Sequence, residues 1–177
     1  MKKKTLALVL ALTLLVAGIV GGTLAWLTDQ TAEVKNTFTV GDINIGLTET
    51  TADYKMVPGN TIAKDPTVTV KANSEACWLF VKVTESTSLK DFITYAIAEG
   101  WTALPGVDGV YYREVPASAA DQTFSVLAGD AVTVKSDVTR TMLETAKTDA
   151  PTLTFQAYAI QKDHFATADA AWAEVSK

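Results

Sequence analysis

The amino-acid sequence predicts an all-β protein, an antiparallel β-sandwich with short peripheral helices. Roughly nine short segments alternate between apolar and polar residues or are continuously apolar, as strands are. Turn signals separate these segments, and the clearest is Val57-Pro58-Gly59-Asn60. Proline fixes φ at the second position of this turn, and glycine accepts a positive φ at the third. Many short strands with frequent turns are typical of a sandwich.

The predicted strands run along most of the chain. In order they cover residues 36–40, 42–47, 67–71, 77–84, 92–97, 110–115, 123–126, 131–138 and 152–160. Residues 77–84 are continuously apolar, which favours a central strand. Residues 152–160 show the cleanest alternation, which places their apolar side chains on one face.

Two segments have a helical pattern instead. Residues 139–147 are polar and predict a short surface helix. Residues 167–175 begin with Thr167, a good N-cap, and place Trp172 on an apolar stripe at helical spacing. We expect this terminal helix to pack Trp172 on the sandwich.

The N-terminus has the three parts of a secretory signal peptide. Lys2, Lys3 and Lys4 precede an apolar run at 6–20, and small residues follow at Thr23-Leu24-Ala25. The run is shorter than the ~20 residues of a spanning helix. We expect cleavage between Ala25 and Trp26, and an uncleaved N-terminal anchor is the alternative. The predicted organisation is a signal peptide at 1–25, an N-terminal strand segment at 26–40 and a β-sandwich domain at 36–177.

The composition describes an exported, acidic domain. Cleavage after residue 25 of the 177-residue chain leaves 152 residues, the size of one domain. Removal of the three lysines changes the formal net charge from −5 to −8, which argues against a nucleic-acid partner. Cys77 is the single cysteine, so no intrachain disulfide forms. A buried thiol is expected for Cys77, with intermolecular pairing as the alternative.

The sequence offers little catalytic chemistry. His164 is the single histidine, so the His-Glu-x-x-His pair of a zinc peptidase is absent. No Gly-x-Ser-x-Gly elbow exists, and Cys77 lies in an apolar strand that would raise its pKa. We therefore expect no catalytic residue, no metal and no cofactor. The carboxylates are too scattered for a calcium loop: Asp42, Glu49, Asp53 and Asp65.

Four aromatic residues have two interpretations. Core packing is one, because aromatic side chains dominate sandwich cores. A ligand-binding surface is the other, and it would make the protein a monomeric surface adhesin or binding module. The four residues are Trp78, Trp101, Tyr111 and Tyr112.

The chain resembles the TasA/camelysin family of exported proteins of Gram-positive bacteria. The resemblance begins at the predicted cleavage site and depends on the order and spacing of several motifs. They are Gly21-Gly22-Thr23-Leu24-Ala25-Trp26-Leu27-Thr28-Asp29, residues 36–43, the turn and following strand at 57–64, Tyr158-Ala159-Ile160-Gln161 and Ala170-Ala171-Trp172. The likeness covers most of residues 18–172 and is weakest over 85–150.

The resemblance implies a jelly-roll-like sandwich that serves as a fibre subunit of the biofilm matrix. It implies processing by a SipW-type signal peptidase, and a secreted protein of the matrix or cell surface. Self-association is the main expected contact, with other matrix proteins or a minor anchoring subunit as further partners. Some members of the family are described as metallopeptidases, an activity that is not carried over here because the histidine pair is missing.

The segment at 26–40 is the predicted assembly element. It is apolar at its start and becomes a free end only after cleavage, so it is suited to add a strand to another subunit's sheet. Its expected anchors are Trp26, Leu27, Val34, Phe38 and Val40. The alternative is that the segment covers an edge of its own subunit.

Overall fold

The computed structural model describes residues 42–50 and 55–177, which contain ten strands and five short helices. The strands are β1 (Ile45–Thr48), β2 (Thr61–Ala63), β3 (Thr67–Val70), β4 (Cys77–Glu85), β5 (Ile93–Thr94), β6 (Thr102–Ala103), β7 (Val110–Val115), β8 (Gln122–Ser125), β9 (Ala131–Val134) and β10 (Leu153–Gln161). The α-helices are α1 (Leu89–Phe92), α2 (Arg140–Ala146) and α3 (Ala168–Val175). Two 3₁₀ helices cover Ala128–Asp130 and Lys162–His164.

The described strands form three antiparallel sheets. The largest has the order β10-β4-β7-β6, the second has the order β1-β3-β8 and the third has the order β2-β9-β5. Each neighbouring pair is antiparallel. The fold class predicted from the sequence, an antiparallel β-sandwich with short helices, is confirmed.

Strand β4 is the centre of the largest sheet, as its apolar sequence predicts. One face of it packs against the β1-β3-β8 sheet, where Leu79 and Val81 meet Val68 and Val70, all at most 1% exposed. Full burial of a side chain of this size contributes roughly 1.5–3 kcal/mol. This contact joins the two larger sheets into a sandwich.

Helix α3 covers the opposite face of β4. The ring of Trp172 lies 5.3 Å from that of Phe80 and 5.2 Å from that of Tyr158. The hydroxyl of Thr167 accepts a hydrogen bond from the backbone N–H of Ala170, so Thr167 caps the helix. The predicted terminal helix and the packing of Trp172 are confirmed.

The third sheet has its own core with α1 and α2. Buried residues from the strands, the helices and the adjoining loop meet there: Leu89, Phe92, Ile93, Leu127, Val132, Val134, Val138 and Ala146. The predicted helix at 139–147 is observed as α2, with Thr139 as its N-cap. The predicted turn is also observed, because Gly59 has φ of 79° and the N–H of Asn60 donates to the Val57 carbonyl at 3.0 Å.

Three predicted strands are clearly shorter than expected. Strand β1, predicted at 42–47, begins only at Ile45 and ends at Thr48. In the segment 92–97, Phe92 is the last residue of α1 and only Ile93–Thr94 pair as a strand. Phe92 and Ile93 are neighbours and both buried, which does not fit the alternation of a strand with one buried face. Strand β9 ends at Val134, because a turn follows in which the N–H of Val138 donates to the Lys135 carbonyl. The family resemblance indicated a strand directly after the turn at 57–60, and β2 is observed there, whereas the two-residue strand β6 was not predicted.

Several predictions fall on residues outside the described ranges. These are the signal peptide at 1–25, the segment at 26–40 and the strand at 36–40. Within the described ranges, no helix has the length and apolar character needed to cross a membrane.

Candidate functional site

Strand β10 presents the longest sheet edge in the described part of the chain. It has nine residues and pairs along its whole length with β4. No other described strand pairs with its second side. The unpaired N–H and C=O groups of an edge strand form hydrogen bonds readily with an added strand.

A groove of about 720 Å³ lies beside the first half of this edge. One wall comes from β1 and β2, and the other comes from residues 150–155, which lead into β10. The α1–β5 region and β9 also contribute to it. Its lining is largely apolar and includes Leu47, Met56, Ile62, Ile93, Val132 and Phe155. An apolar groove next to a free strand edge has the two features that strand addition needs, which are main-chain partners and side-chain pockets.

The groove also contains an ion pair with little exposure to solvent. The ammonium nitrogen of Lys64 lies 2.6 Å from an oxygen of Glu49, and their side chains are 9% and 24% exposed. The same ammonium lies 5.4 Å from the centre of the Phe155 ring. Lys64 therefore connects the chain just after β1 with the beginning of β10.

A second polar contact lies next to this pair. Asp65 accepts hydrogen bonds from both the hydroxyl and the backbone N–H of Thr50. These two bonds lower the pKa of Asp65, chiefly through the hydroxyl. Together with the Lys64–Glu49 pair, they fix residues 49–50 against the connection between β2 and β3.

Two large apolar side chains are prominently exposed among the described residues, namely Leu47 at 37% and Val57 at 49%. Leu47 lies in β1 and lines the groove, whereas Val57 lies in the turn before β2 and is not among the lining residues. Leu47 is therefore an apolar contact point at the mouth of the groove.

The residues predicted for processing and assembly lie outside the described ranges. They are Ala25 and Trp26 at the cleavage site, and Trp26, Leu27, Val34, Phe38 and Val40 in the assembly segment. Asp53, one of the scattered carboxylates, also lies outside. The cleavage and assembly roles of these residues therefore remain predictions.

The described residues do not form a binding site for a catalytic zinc ion. No three of their histidine, cysteine, aspartate and glutamate side chains are grouped so that they could hold a metal. Cys77 is fully buried, and this burial raises the pKa of its thiol to about 11. His164 is exposed at the end of a 3₁₀ helix.

The four aromatic residues do not form one surface. Trp78 and Trp101 are buried, at 5% and 9% exposure. The Trp101 indole donates to the Ser125 carbonyl at 2.9 Å. Tyr111 and Tyr112 are consecutive in β7, so their side chains point to opposite faces of the sheet. Trp101, Tyr111 and Tyr112 therefore do not form one ligand-binding surface.

The groove itself was not predicted. Its walls come from segments far apart in the sequence, and Lys64 and Glu49 are fifteen residues apart. The exposed Leu47 was the available signal, because it ends an alternating segment next to polar residues. Without the pairing of the strands, that signal does not identify a partner wall.

Comparison with known proteins gives one match. The family described as camelysin metallo-endopeptidase matches residues 1–87, which include the N-terminal segment and all of β1 to β4. No curated protein and no solved structure matches the chain. The match confirms the resemblance found in the sequence, and over residues 1–87 the chain is similar to the camelysin family.

Proposed function

We propose that the protein is a secreted structural subunit of an extracellular matrix, which polymerises by strand addition after its signal peptide is removed. In this proposal residues 26–40 of one subunit pair with the free edge of β10 in the next subunit. The observation that supports it is that no described strand pairs with the second side of β10, which lies beside an apolar groove.

The dimensions of the two elements agree. A strand rises ~3.3 Å per residue, so the nine residues of β10 extend over roughly 30 Å. The fifteen residues at 26–40 reach roughly 50 Å when extended, which is enough to follow that edge. Trp26, Val34, Phe38 and Val40 are all at even positions, so in one continuous strand their side chains share a face. That face would lie on the groove.

The proposed contact is head-to-tail, and this geometry determines the kind of assembly that forms. A donor segment on one side of a subunit and an acceptor groove elsewhere on it form a heterologous contact, and such contacts give filaments when they do not close into a ring. Cleavage between Ala25 and Trp26 would release the donor end, so processing by a SipW-type signal peptidase would control assembly. Mature protein that begins at Trp26 in an intact-mass measurement is the expected product, and secreted protein that retains residues 1–25 would contradict it.

The decisive experiment compares filament formation in four proteins by sedimentation and electron microscopy. Protein that begins at Trp26 should polymerise, and protein that begins at Asn36 should remain monomeric because it lacks Trp26, Leu27 and Val34. Leu47→Lys should block polymerisation by placing a charge at the mouth of the groove.

Val57→Lys is the matched control, because Val57 is also a large apolar residue and is more exposed than Leu47, but does not line the groove. It should polymerise normally. If the proteins that begin at Trp26 and Asn36 are both monomeric, or form identical filaments, strand addition is wrong. Protection of the subunit's own edge by residues 26–40 then becomes the better account.

A structural role is proposed here in place of the proteolysis that the family's description names. The whole chain contains one histidine, so no pair of histidines can bind a catalytic zinc ion within one subunit. The purified protein should cleave no protein substrate. A chelator-sensitive protease activity that co-purifies with it and disappears in His164→Ala would overturn this part of the proposal.

A further inference from the structure

A second cavity, of about 390 Å³, lies at one end of the sandwich and is distinct in character from the groove. Its described lining comes from the end of β4, from α1 and β5, from β7 and from the residue after β9. The backbone N–H of Lys135 donates to the Phe92 carbonyl at 2.8 Å, which fixes two of these segments to each other. Its size lies in the range of small-molecule sites, ≈300–1,000 Å³.

Three hydrogen-bonding side chains meet in this cavity. The hydroxyl of Tyr95 donates to an oxygen of Glu85, and Tyr111 lies near enough to influence the same phenol. Burial, with the hydrogen bond to Glu85 as a second cause, raises the pKa of Tyr95 well above its usual value. Tyr95 therefore stays protonated and holds the carboxylate in place. The second carboxylate oxygen of Glu85 has no partner among the described residues and can accept a hydrogen bond from a ligand.

Two ammonium groups stand at the same cavity. Lys90 in α1 and Lys135 after β9 both line it, and neither forms an ion pair with a described residue. Against the single carboxylate of Glu85, they leave a net positive charge. This local charge is opposite to that of the whole chain, which is −5. A ligand with one negative charge fits this balance better than a neutral or cationic ligand.

We propose that this cavity binds an acidic sugar residue, such as a uronic acid. Its ring hydroxyls would face Glu85, Tyr95 and Tyr111, and its carboxylate would face Lys90 and Lys135. The tyrosine rings offer flat apolar surfaces to the C–H face of a sugar, and the carboxylate and phenols offer both acceptors and donors to its hydroxyls. The cavity adjoins the groove, because Leu89 and Ile93 line both, but its polar residues Glu85, Lys90, Tyr95, Tyr111 and Lys135 do not line the groove.

The test is calorimetric titration of the secreted protein with galacturonate and trigalacturonate, with maltotriose as the neutral counterpart. Saturable binding of both acidic ligands is expected, with maltotriose at least tenfold weaker. Tyr95→Phe keeps the ring and removes one hydroxyl, and Lys135→Gln removes one charge. Each should weaken binding about tenfold, because each removes one polar partner of the sugar and leaves the other partners in place.

Tyr112→Phe is the matched control, because Tyr112 follows Tyr111 in β7 but lies on the opposite face of the sheet. It should bind as the unchanged protein does. No saturable binding, equal affinity for maltotriose, or equal effects of Tyr95→Phe and Tyr112→Phe would overturn the proposal. Loss of binding in Leu47→Lys would also overturn it, because the sugar would then occupy the groove.

Discussion

The ammonium group of Lys64 and the carboxylate of Glu49 form a 2.6 Å ion pair in the wall of the groove, and both side chains are largely withdrawn from solvent. Removing one member of a buried ion pair weakens the stabilisation of the charge that remains. We expect Glu49→Gln to lower the free energy of unfolding by about 1–3 kcal/mol, less than the 3–5 kcal/mol of a fully buried pair, because Glu49 is a quarter exposed.

The control for this prediction is Glu144→Gln. Glu144 pairs with Lys147 at 2.7 Å, but their side chains are 55% and 69% exposed. Surface pairs contribute roughly 0–1 kcal/mol, so this variant should unfold at nearly the same denaturant concentration as the unchanged protein. Equal losses of stability in the two variants, measured by urea denaturation, would show that burial does not strengthen the Lys64–Glu49 pair.

Gly109 makes a close backbone contact that no other residue can make. It has φ of 71°, and a Cβ built on it would lie 2.4 Å from the carbonyl oxygen of Val83. Its own carbonyl accepts from the N–H of Val83 at 2.7 Å, so the two backbones cannot separate without loss of that bond. Gly109→Ala should destabilise the fold by about 3 kcal/mol or more, from backbone strain and overpacking together.

Gly106 provides the comparison, because it has φ of 73° and open space around its Cβ position. Gly106→Ala carries only the strain of the left-handed backbone, roughly 1–2 kcal/mol. The difference between the two variants, measured by thermal or chemical denaturation, isolates the clash with Val83. If the two substitutions have the same effect, the close approach of Gly109 to β4 is not rigid.

The long strands of this fold were predictable, because each carries enough residues to show its period. Strands β4 and β10 each have nine residues, and both were predicted within one or two residues of their observed ends. Strand β2, with three residues, and helix α1, with four, are too short for any period to be recognised. The division into three sheets depends on these short elements, so it could not be predicted.

The two cavities depend on tertiary contacts instead. Glu85 and Tyr95 are ten residues apart, with α1 and β5 between them, and nothing in the local sequence indicates that their side chains meet. Trp172 was predictable because its position follows from helical spacing over one segment. The positions of side chains within one helix or strand can therefore be predicted from this sequence, but the contacts between different elements cannot.

The buried thiol of Cys77 should make stability depend on pH above 9. Its pKa is raised by burial from 9.0 to about 11, so folding favours the protonated form. Below pH 9 the thiol is protonated in both states and this contribution is fully present. As the pH rises from 9 towards 11 the unfolded chain ionises first, and the contribution is lost.

Cys77→Ala removes this titration. Between pH 9 and pH 11 the unchanged protein should lose more free energy of unfolding than the variant, by up to about 2 kcal/mol, since one pKa unit corresponds to ~1.4 kcal/mol. At pH 8 the thiol is protonated in both states. The difference in free energy of unfolding between the variant and the unchanged protein at that pH therefore measures only the small cavity that the substitution creates. Parallel curves for the two proteins from pH 8 to pH 11 would show that the thiol is accessible to solvent.

Arg113 stands between two aromatic rings, with its guanidinium carbon 3.9 Å from the centre of the Phe124 ring and 5.4 Å from that of Trp101. Its Nε is buried and has no hydrogen-bond partner among the described residues. Burial lowers its pKa, which means that folding disfavours the charged form throughout the neutral pH range. The attraction of a cation to the rings, roughly 0.5–2 kcal/mol, therefore opposes the cost of removing the guanidinium from water.

Because these two effects oppose each other, we expect the packing of the side chain to make the larger contribution to stability. Arg113→Met keeps a long apolar chain between the rings and removes the buried charge, so its free energy of unfolding should stay within about 1 kcal/mol of the unchanged protein. Arg113→Ala removes the packing as well and should cost about 2–3 kcal/mol, as truncation of other large buried side chains does. Chemical denaturation at pH 7 measures both. Should Arg113→Met be as destabilising as Arg113→Ala, the charge itself holds Phe124 and Trp101 together, and the cation–π attraction outweighs the cost of burying the guanidinium.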